Sequence, residues 1–539
     1  ALSRDFRSPV ESAGSNNWVL GPSRSNTDHA WIANDPHLDL RTPPFWFWVH
    51  VTADVGGIDA IGASLPGFPV IASGLNRQVA WGVTNSYMDT ADLVEVPRSR
   101  LERTQVLHPT IWVRWWKFRV PIFWKTFERT EQGLPILPLG TGRDSAIVLR
   151  WSGLHVGAQD IDPIFDILGV RSAHEMDEAL SRVGVPSWNY VFADVKGNIG
   201  YRTIGKVPRR EMPPVFGVEV SEPGQSIDFE TFLSADELPH LFNPKRGWVA
   251  TANHEQWPKG RGPRGLRDGR VHSLSFRGFR IAELLAQREQ HDFTSLKEIQ
   301  CDVQAVDARF LVPKILAKKE LLVREAGADD RVRMFLELLG RWDFEADGAC
   351  RLCAVYRRWI DRVMNEAGID ERALYRRLSE EARVEVVSWR DLATKLSEVL
   401  TELGVQKLDS EASLPLWRDI LRISFDHLSG ILSFSPTSLG GFGDKHSVNP
   451  GVADWDEGGT LPRFRHRSGA SHRLIVELSD PPAVYAQLAG SNLRVGPGAV
   501  DAAAASPWSA WGSCAYQRRR FPLDWTDPKV LSEVETITF

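Results

Sequence analysis

An α+β core is the fold the sequence predicts, and three textures along the chain predict it. From about residue 15 to 280, short runs rich in Trp, Val, Ile and Gly are broken by Gly, Pro and Asn and read as β-strands: SNNWVLG, HAWIAND, VAWGVTN and NYVFADVKGNIGYRTIG. From about 281 to 430 apolar residues recur at three- and four-residue spacing, as in IAELLAQREQ and RVRMFLELLGRW, the period of amphipathic helices. After about 431 strands return, and SHRLIVELSD alternates apolar with polar residues. The expected parts are a strand-rich core at 15–290, a helical insertion at 291–430, and strands at 431–539 that complete the core.

Composition narrows the function classes. The 539 residues carry 64 Lys+Arg against 69 Asp+Glu, a net charge of -5, with 42% hydrophobic and 25% charged residues. That is ordinary globular usage, which excludes a disordered or collagen-like chain. The mild acidity gives no global reason to expect nucleic acid or an anionic membrane as partner. The most apolar stretch, FWFWVHVTADVGGIDAIGASLPGFPVIASGL, contains His50, Asp54 and Asp59 and reads as strands and turns, not a membrane span. Trp outnumbers Tyr by 21 to 7, which suits an apolar pocket or a well-packed core.

Several signals are absent or bland. There is no GxSxG, P-loop or HExxH. A GxGxxG at Gly260–Gly265 contains Pro263, lacks a strand–turn–helix context and reads as a basic loop. Four cysteines exclude a disulfide scaffold, and the lone CxxC of Cys350 and Cys353 reads as helix surface, since zinc needs more ligands. The run WVRWWKFRVPIFWKTFER at 112–129 reads as amphipathic strands whose Arg and Lys stems cover aromatic rings.

One local string carries chemistry: Gly14-Ser15-Asn16-Asn17-Trp18, followed by Asn34-Asp35-Pro36-His37-Leu38. A serine hydroxyl is a poor nucleophile until a base takes its proton. Cleavage just before the serine would free an α-amine with a pKa of about 8, suited to that work near neutral pH. Gly14 leaves little bulk beside the bond to be cut. By spacing alone, Gly-Ser is equally an ordinary turn.

Further strings follow in order: Gly74-Leu-Asn-Arg-Gln-Val-Ala-Trp-Gly-Val-Thr-Asn85, Gly197-Asn-Ile-Gly-Tyr201, Ala250-Thr-Ala-Asn253, Ile299-Gln-Cys-Asp302, Trp342-Asp343, Gly443-Asp-Lys-His-Ser-Val-Asn449 and the ending Glu535-Thr-Ile-Thr-Phe539. Together with the first two, they resemble the large (β) subunit of the penicillin acylase family of N-terminal-nucleophile hydrolases. The resemblance implies a four-layer αββα sandwich with a helical insertion, and residues 1–14 as the remnant of a spacer. It implies Ser15 as the catalytic serine, freed by autocatalytic cleavage of the Gly14–Ser15 bond. His37 would hydrogen-bond Ser15 and help processing. The Asn85 N–H and the Asn253 side-chain amide would hold the oxyanion, and Arg277, with Arg280 three residues on, would brace the nucleophile. Asp89, Ala91 and Asp92 match a calcium loop, to be completed from around Pro208 and from a small (α) subunit of the same precursor. Export to the periplasm or medium is implied by the same resemblance.

The implied activity is hydrolysis of a linear amide in an acylated small molecule: a penicillin-type, acyl-homoserine-lactone or lipopeptide side chain. A catalytically silent, Trp-rich binding protein on the same fold is the alternative. The sequence departs from the family in LAGSNLRVGPGAVDAAAASPW, where only Ser506-Pro507 is recognisable, and around Thr130–Pro135. The basic loop Lys259–Arg267 could face an anionic leaving group.

Overall fold

The computed structural model describes residues 14–53, 57–101, 103–115, 118–124, 126–138, 144–210, 218–220, 226–254, 275–327, 329–369, 374, 388–423, 425–427, 439–456, 463–489, 514 and 517–519. The upstream residues 1–13, the GxGxxG and basic loop at 259–267, the divergent stretch around Ser506-Pro507 and the ending Glu535–Phe539 lie outside the described residues.

Two sheets stacked face to face make the core. A ten-stranded sheet contains the strands Gly14–Leu20, Trp31–Asp39, Trp248–Thr251, Arg463–Ala470, His472–Glu477 and Ala483–Leu488. A seven-stranded sheet contains Phe47–Ala53, Ile58–Leu65, Phe68–Asn76, Val79–Asn85, Trp188–Asp194, Ile199–Thr203 and His240–Phe242. Side chains alternate across each strand, so each sheet has two apolar faces to bury. Val19, Ile32, Leu474 and Val476 point inward and meet Leu75, Ala80, Val191 and Ile199 of the other sheet. On the outer face of the first sheet, Trp18, Leu20, Trp31 and Ile475 pack on Ile281, Leu285, Leu296 and Ile299. Those come from the helices Phe276–Gln287 and Phe293–Gln300. On the outer face of the second, Trp81, Val83, Tyr190 and Phe192 pack on Ile164, Ile167, Met176 and Leu180, around the helix Ala173–Ser181. Helix, sheet, sheet, helix is the expected αββα order.

The insertion has its own core. The helices Val306–Leu316, Lys319–Glu325, Asp330–Leu339, Leu352–Ala367 and Trp389–Glu402 bury Leu311, Phe335, Tyr356, Trp359 and Leu396 against one another. The helix Phe293–Gln300 packs on the sheet rather than with the insertion. Strands resume at Leu421–Ile423, which pairs in parallel with Phe464–His466.

Two readings need correction. The CxxC pair is not bare helix surface: Cys350 and Cys353 form a disulfide, and Cys301 is joined to Cys514. The helix Leu352–Ala367 begins between the two residues of the CxxC, and Cys353 N donates to Cys350 Sγ at 3.1 Å. The 112–129 run does form strands, Thr110–Trp115 with Phe118–Trp124, but Trp112 and Phe118 are 58% and 64% exposed, so these two rings are only partly covered.

Tryptophan is mainly core material: Trp18, Trp31, Trp81, Trp359 and Trp417 are fully buried. Among the described residues no helix is long and apolar enough to cross a membrane.

Candidate active site

The strand Gly14–Leu20, which carries Ser15, lies between Trp248–Thr251 on one edge and Trp31–Asp39 on the other. Its register sets Gly14 opposite His37, Ser15 opposite Pro36 and Asn16 opposite Asp35. The two sequence strings that carry the chemistry are therefore one antiparallel ladder. Asn34 ties this ladder to the second sheet, its Nδ2 donating to Asn16 O and Val83 O, each at 2.8 Å. Gly82 permits that approach, because a β-carbon there would stand 2.7 Å from both Asn17 Oδ1 and Asn34 Cβ.

Ser15 is held from its backbone. Its N–H donates to Asn253 Oδ1 at 2.6 Å, and its Oγ donates to Gly14 O at 2.6 Å, across the bond expected to be cut. Asn253 follows the strand Trp248–Thr251 with φ +64°, a left-handed conformation that Asn tolerates and most residues resist. That turn aims its side chain back at Ser15. Its Nδ2 donates one N–H to Asn85 O at 2.8 Å, so the two expected oxyanion residues are neighbours. An amide nitrogen carries a second N–H, which a substrate oxygen could accept.

Arg277 lies in the first turn of the helix Phe276–Gln287 and forks over Ser15. Its Nη1 donates to Ser15 O (2.9 Å) and Asn16 Oδ1 (2.6 Å), and its Nη2 to Asn253 Oδ1 (3.1 Å). Arg280 instead pairs with Asp302 and Glu283, each at 2.7 Å, so the register of the expected arginine is Arg277. Burial pulls the Arg277 pKa down, opposed by Tyr87 and Asp35. Beside it, burial and then Arg277 depress His254 to about 4.

His37 sits across from Gly14, and its Nε2 meets Asp35 Oδ2 at 2.7 Å and Asn16 Nδ2 at 3.3 Å rather than Ser15. Its other ring nitrogen lies 3.4 Å from where a β-carbon on Gly14 would be. Asp35 was not singled out by sequence reasoning, nor were Asn16 and Gln300. Asn16 Nδ2 donates to Asp35 Oδ2 at 2.9 Å and to Val448 O at 2.7 Å, and Gln300 Nε2 donates to Asp35 Oδ1 at 3.1 Å. All three stand inside the quoted strings, which was the available signal. Burial raises Asp35 to about 8, against the pull of Arg473, Asn16, Gln300 and Arg277. Burial and then Arg277 hold His37 well below its usual value. Both shifts favour a neutral pair, with the proton on Asp35 donated to His37 Nε2 and the ring's Nδ1–H facing Gly14.

The expected calcium residues are arranged differently. Arg210 Nη2 lies 3.1 Å from Asp92 Oδ2 and 3.3 Å from Asp89 Oδ1, and Arg150 Nε lies 2.9 Å from Asp92 Oδ2. Calcium takes six to eight oxygen ligands. Among the described residues no group of three or more His, Cys, Asp or Glu side chains could hold a metal. The residues placed here do not fit that ion.

Comparison with known proteins agrees with this architecture. The profile of the family described as penicillin amidase matches residues 2–495. Acyl-homoserine lactone acylase QuiP of Pseudomonas aeruginosa is 28% identical over 311 residues, 54% of this chain and 36% of its own length. Penicillin acylase 2 proenzyme of Pseudomonas sp. is 28% identical over 265 residues, 46% of this chain and 32% of its own. The chain thus spans about a third of the length of these curated relatives. A thermostable penicillin G acylase from Alcaligenes faecalis superposes with a TM-score of 0.66 at 16% identity, over 97% of this chain and 98% of that one. A fold match of that extent and a profile match over most of the chain agree: the chain belongs to the penicillin amidase family.

Proposed function

We propose that the chain is the catalytic part of an amide hydrolase whose nucleophile is Ser15, freed by cleavage of the Gly14–Ser15 bond. The observation that carries this reading is the convergence of Asn253, Asn85 and Arg277 on Ser15, with its Oγ on the Gly14 carbonyl. In maturation, Oγ attacks the Gly14 carbonyl carbon and the acyl group moves from nitrogen to oxygen. Water then hydrolyses the ester and leaves Ser15 with a free α-amine. The neutral His37–Asp35 pair supplies a donor beside Gly14 while charge builds on its oxygen.

In turnover, the α-amine takes the Ser15 hydroxyl proton as Oγ adds to the substrate carbonyl. The Asn253 Nδ2 and Asn85 N–H stabilise the oxyanion, the amine product leaves with the proton, and water resolves the acyl-serine. The substrate class is an acylated small molecule with a linear amide, which the names of the relatives support. A small subunit cut from the same precursor is the proposed partner, and a relative named as a proenzyme supports such processing. Periplasmic or extracellular location is proposed because all four cysteines are paired, and disulfides persist in oxidising compartments.

The test is a panel of an N-acyl-homoserine lactone, an acyl peptide and a penicillin, assayed for released amine. Release from at least one, abolished by Ser15→Ala, is the expected result. No release from any member by mature protein would favour the silent binding protein.

A further inference from the structure

The loop after the strand Val79–Asn85 and the start of the strand Ala91–Pro97 carry two carboxylates, Asp89 and Asp92, which the resemblance assigned to calcium. Several of the oxygens in that loop already meet an N–H donor. Asp92 accepts from Arg210 Nη2 on both oxygens, at 3.2 and 3.1 Å, and from Arg150 Nε at 2.9 Å. The Asp89 carbonyl accepts from Arg210 Nη1 at 2.8 Å, and the Thr90 carbonyl accepts from Ser152 N at 2.9 Å. Two guanidinium groups balance two carboxylates, so a divalent ion would bring uncompensated charge into a partly buried site.

The cations are held as firmly as the anions. Arg150 is the cross-strand partner of Asp92 in the ladder formed with Ser145–Trp151. Arg210 arrives from the segment after Pro208, the same region expected to contribute a calcium oxygen. Both guanidinium carbons lie over the ring of Phe229, Arg150 at 4.9 Å and Arg210 at 5.4 Å. Arg210 is 8% exposed and Arg150 15%, so water screens neither strongly.

We propose that Arg210, seconded by Arg150, is a built-in cation that closes the Asp89–Asp92 loop in place of a metal ion. This holds whether or not Ser15 is a nucleophile, because it concerns how the strand Ala91–Pro97 is anchored next to Asn85. A covalently attached cation cannot be removed by a chelator, whereas a bound ion stabilises only in proportion to its concentration over its Kd.

The experiment measures metal content and thermal unfolding of the full chain after gel filtration in calcium-containing and then calcium-free buffer. Wild-type protein should carry far less than one calcium per chain, and its Tm should be the same in EDTA and in millimolar calcium. Arg210→Ala should lower Tm by several degrees and make it calcium-responsive, with the response lost again in Arg210→Ala/Asp89→Asn. Stoichiometric calcium in the wild type, or a Tm that falls in EDTA and recovers with calcium, would overturn the proposal. So would an Arg210→Ala protein with unchanged Tm. If that variant does not fold, the wild-type metal content and chelator response decide alone.

Discussion

At the scale of single residues, the proton on Asp35 separates two ways of activating the cleavage site. If the pair is neutral near pH 7, Asp35→Asn keeps an N–H for His37 Nε2, while Asp35→Ala removes its nearer partner and leaves Asn16 Nδ2 at 3.3 Å. Losing that partner costs about 1–3 kcal/mol, or roughly tenfold or more in processing rate. We therefore expect Asp35→Asn to mature within about threefold of wild type and Asp35→Ala to lag by about tenfold or more, read as the precursor fraction on a gel. Equal loss in both variants would place the functional state on the carboxylate. Arg277 gives a second residue-scale expectation. A guanidinium beside the freed α-ammonium disfavours that charge and lowers its pKa below the usual value of about 8. Removing it in Arg277→Gln raises the amine pKa, so the acidic limb of kcat/KM should move to higher pH by about one unit. A limb that stays in place while kcat/KM falls would leave Arg277 only a positioning role. Asp35 itself was hidden in the sequence because its chemistry depends on burial, which no spacing reveals. Ser15, Asn85 and Asn253 were named through the family resemblance of the strings that hold them, since by spacing alone each reads as an ordinary turn or cap residue.

At the scale of elements, two glycines set how closely the strand Gly14–Leu20 is packed. A β-carbon on Gly14 would lie 2.6 Å from Arg277 Nη2 and 3.1 Å from its Cζ. The guanidinium is pinned by Ser15 O, Asn16 Oδ1 and Asn253 Oδ1, so it has little room to yield. Gly14→Ala should slow cleavage with little effect on Tm; normal processing would show that the fork relaxes. Gly82 is different, since its added methyl would sit between the two sheets. Overpacking of that kind typically costs about 1–3 kcal/mol, so Gly82→Ala should lower Tm by several degrees. The periodicities that predicted strands and helices were sound, because side-chain alternation and three- and four-residue spacing follow directly from backbone geometry. What they lacked was partner identity. Nothing local says that helix Phe293–Gln300 covers a sheet, or that Arg210 folds onto Asp89 and Asp92 from more than a hundred residues away.

At the scale of the whole molecule, buried titratable groups set how stability depends on pH. Burial lowers His254 and His466 to about 4 from an ordinary 6.5, and holds His37 well below that ordinary value. Between pH 6.5 and 4 the unfolded chain therefore binds more protons, and stability is lost as pH falls. Asp35 acts in the opposite sense: raised to about 8 from 3.8, it contributes stability at low pH that is lost as pH rises toward 8. The lowered histidines, His291 among them, outnumber Asp35 on the acid side, while above pH 6.5 they no longer titrate and Asp35 still loses its proton. The Tm should therefore peak near pH 6.5 and fall on both sides, with His466→Gln flattening the acid limb. A maximum displaced to pH 5 or below would mean these histidines are not neutral in the native chain.

The central claim is that Ser15 becomes a free N-terminus, and N-terminal sequencing with intact mass of the expressed precursor tests it most directly. The account predicts a large chain beginning at Ser15 in the wild type and an uncut chain in Ser15→Ala. A folded wild-type protein in which Gly14 and Ser15 remain joined would contradict it.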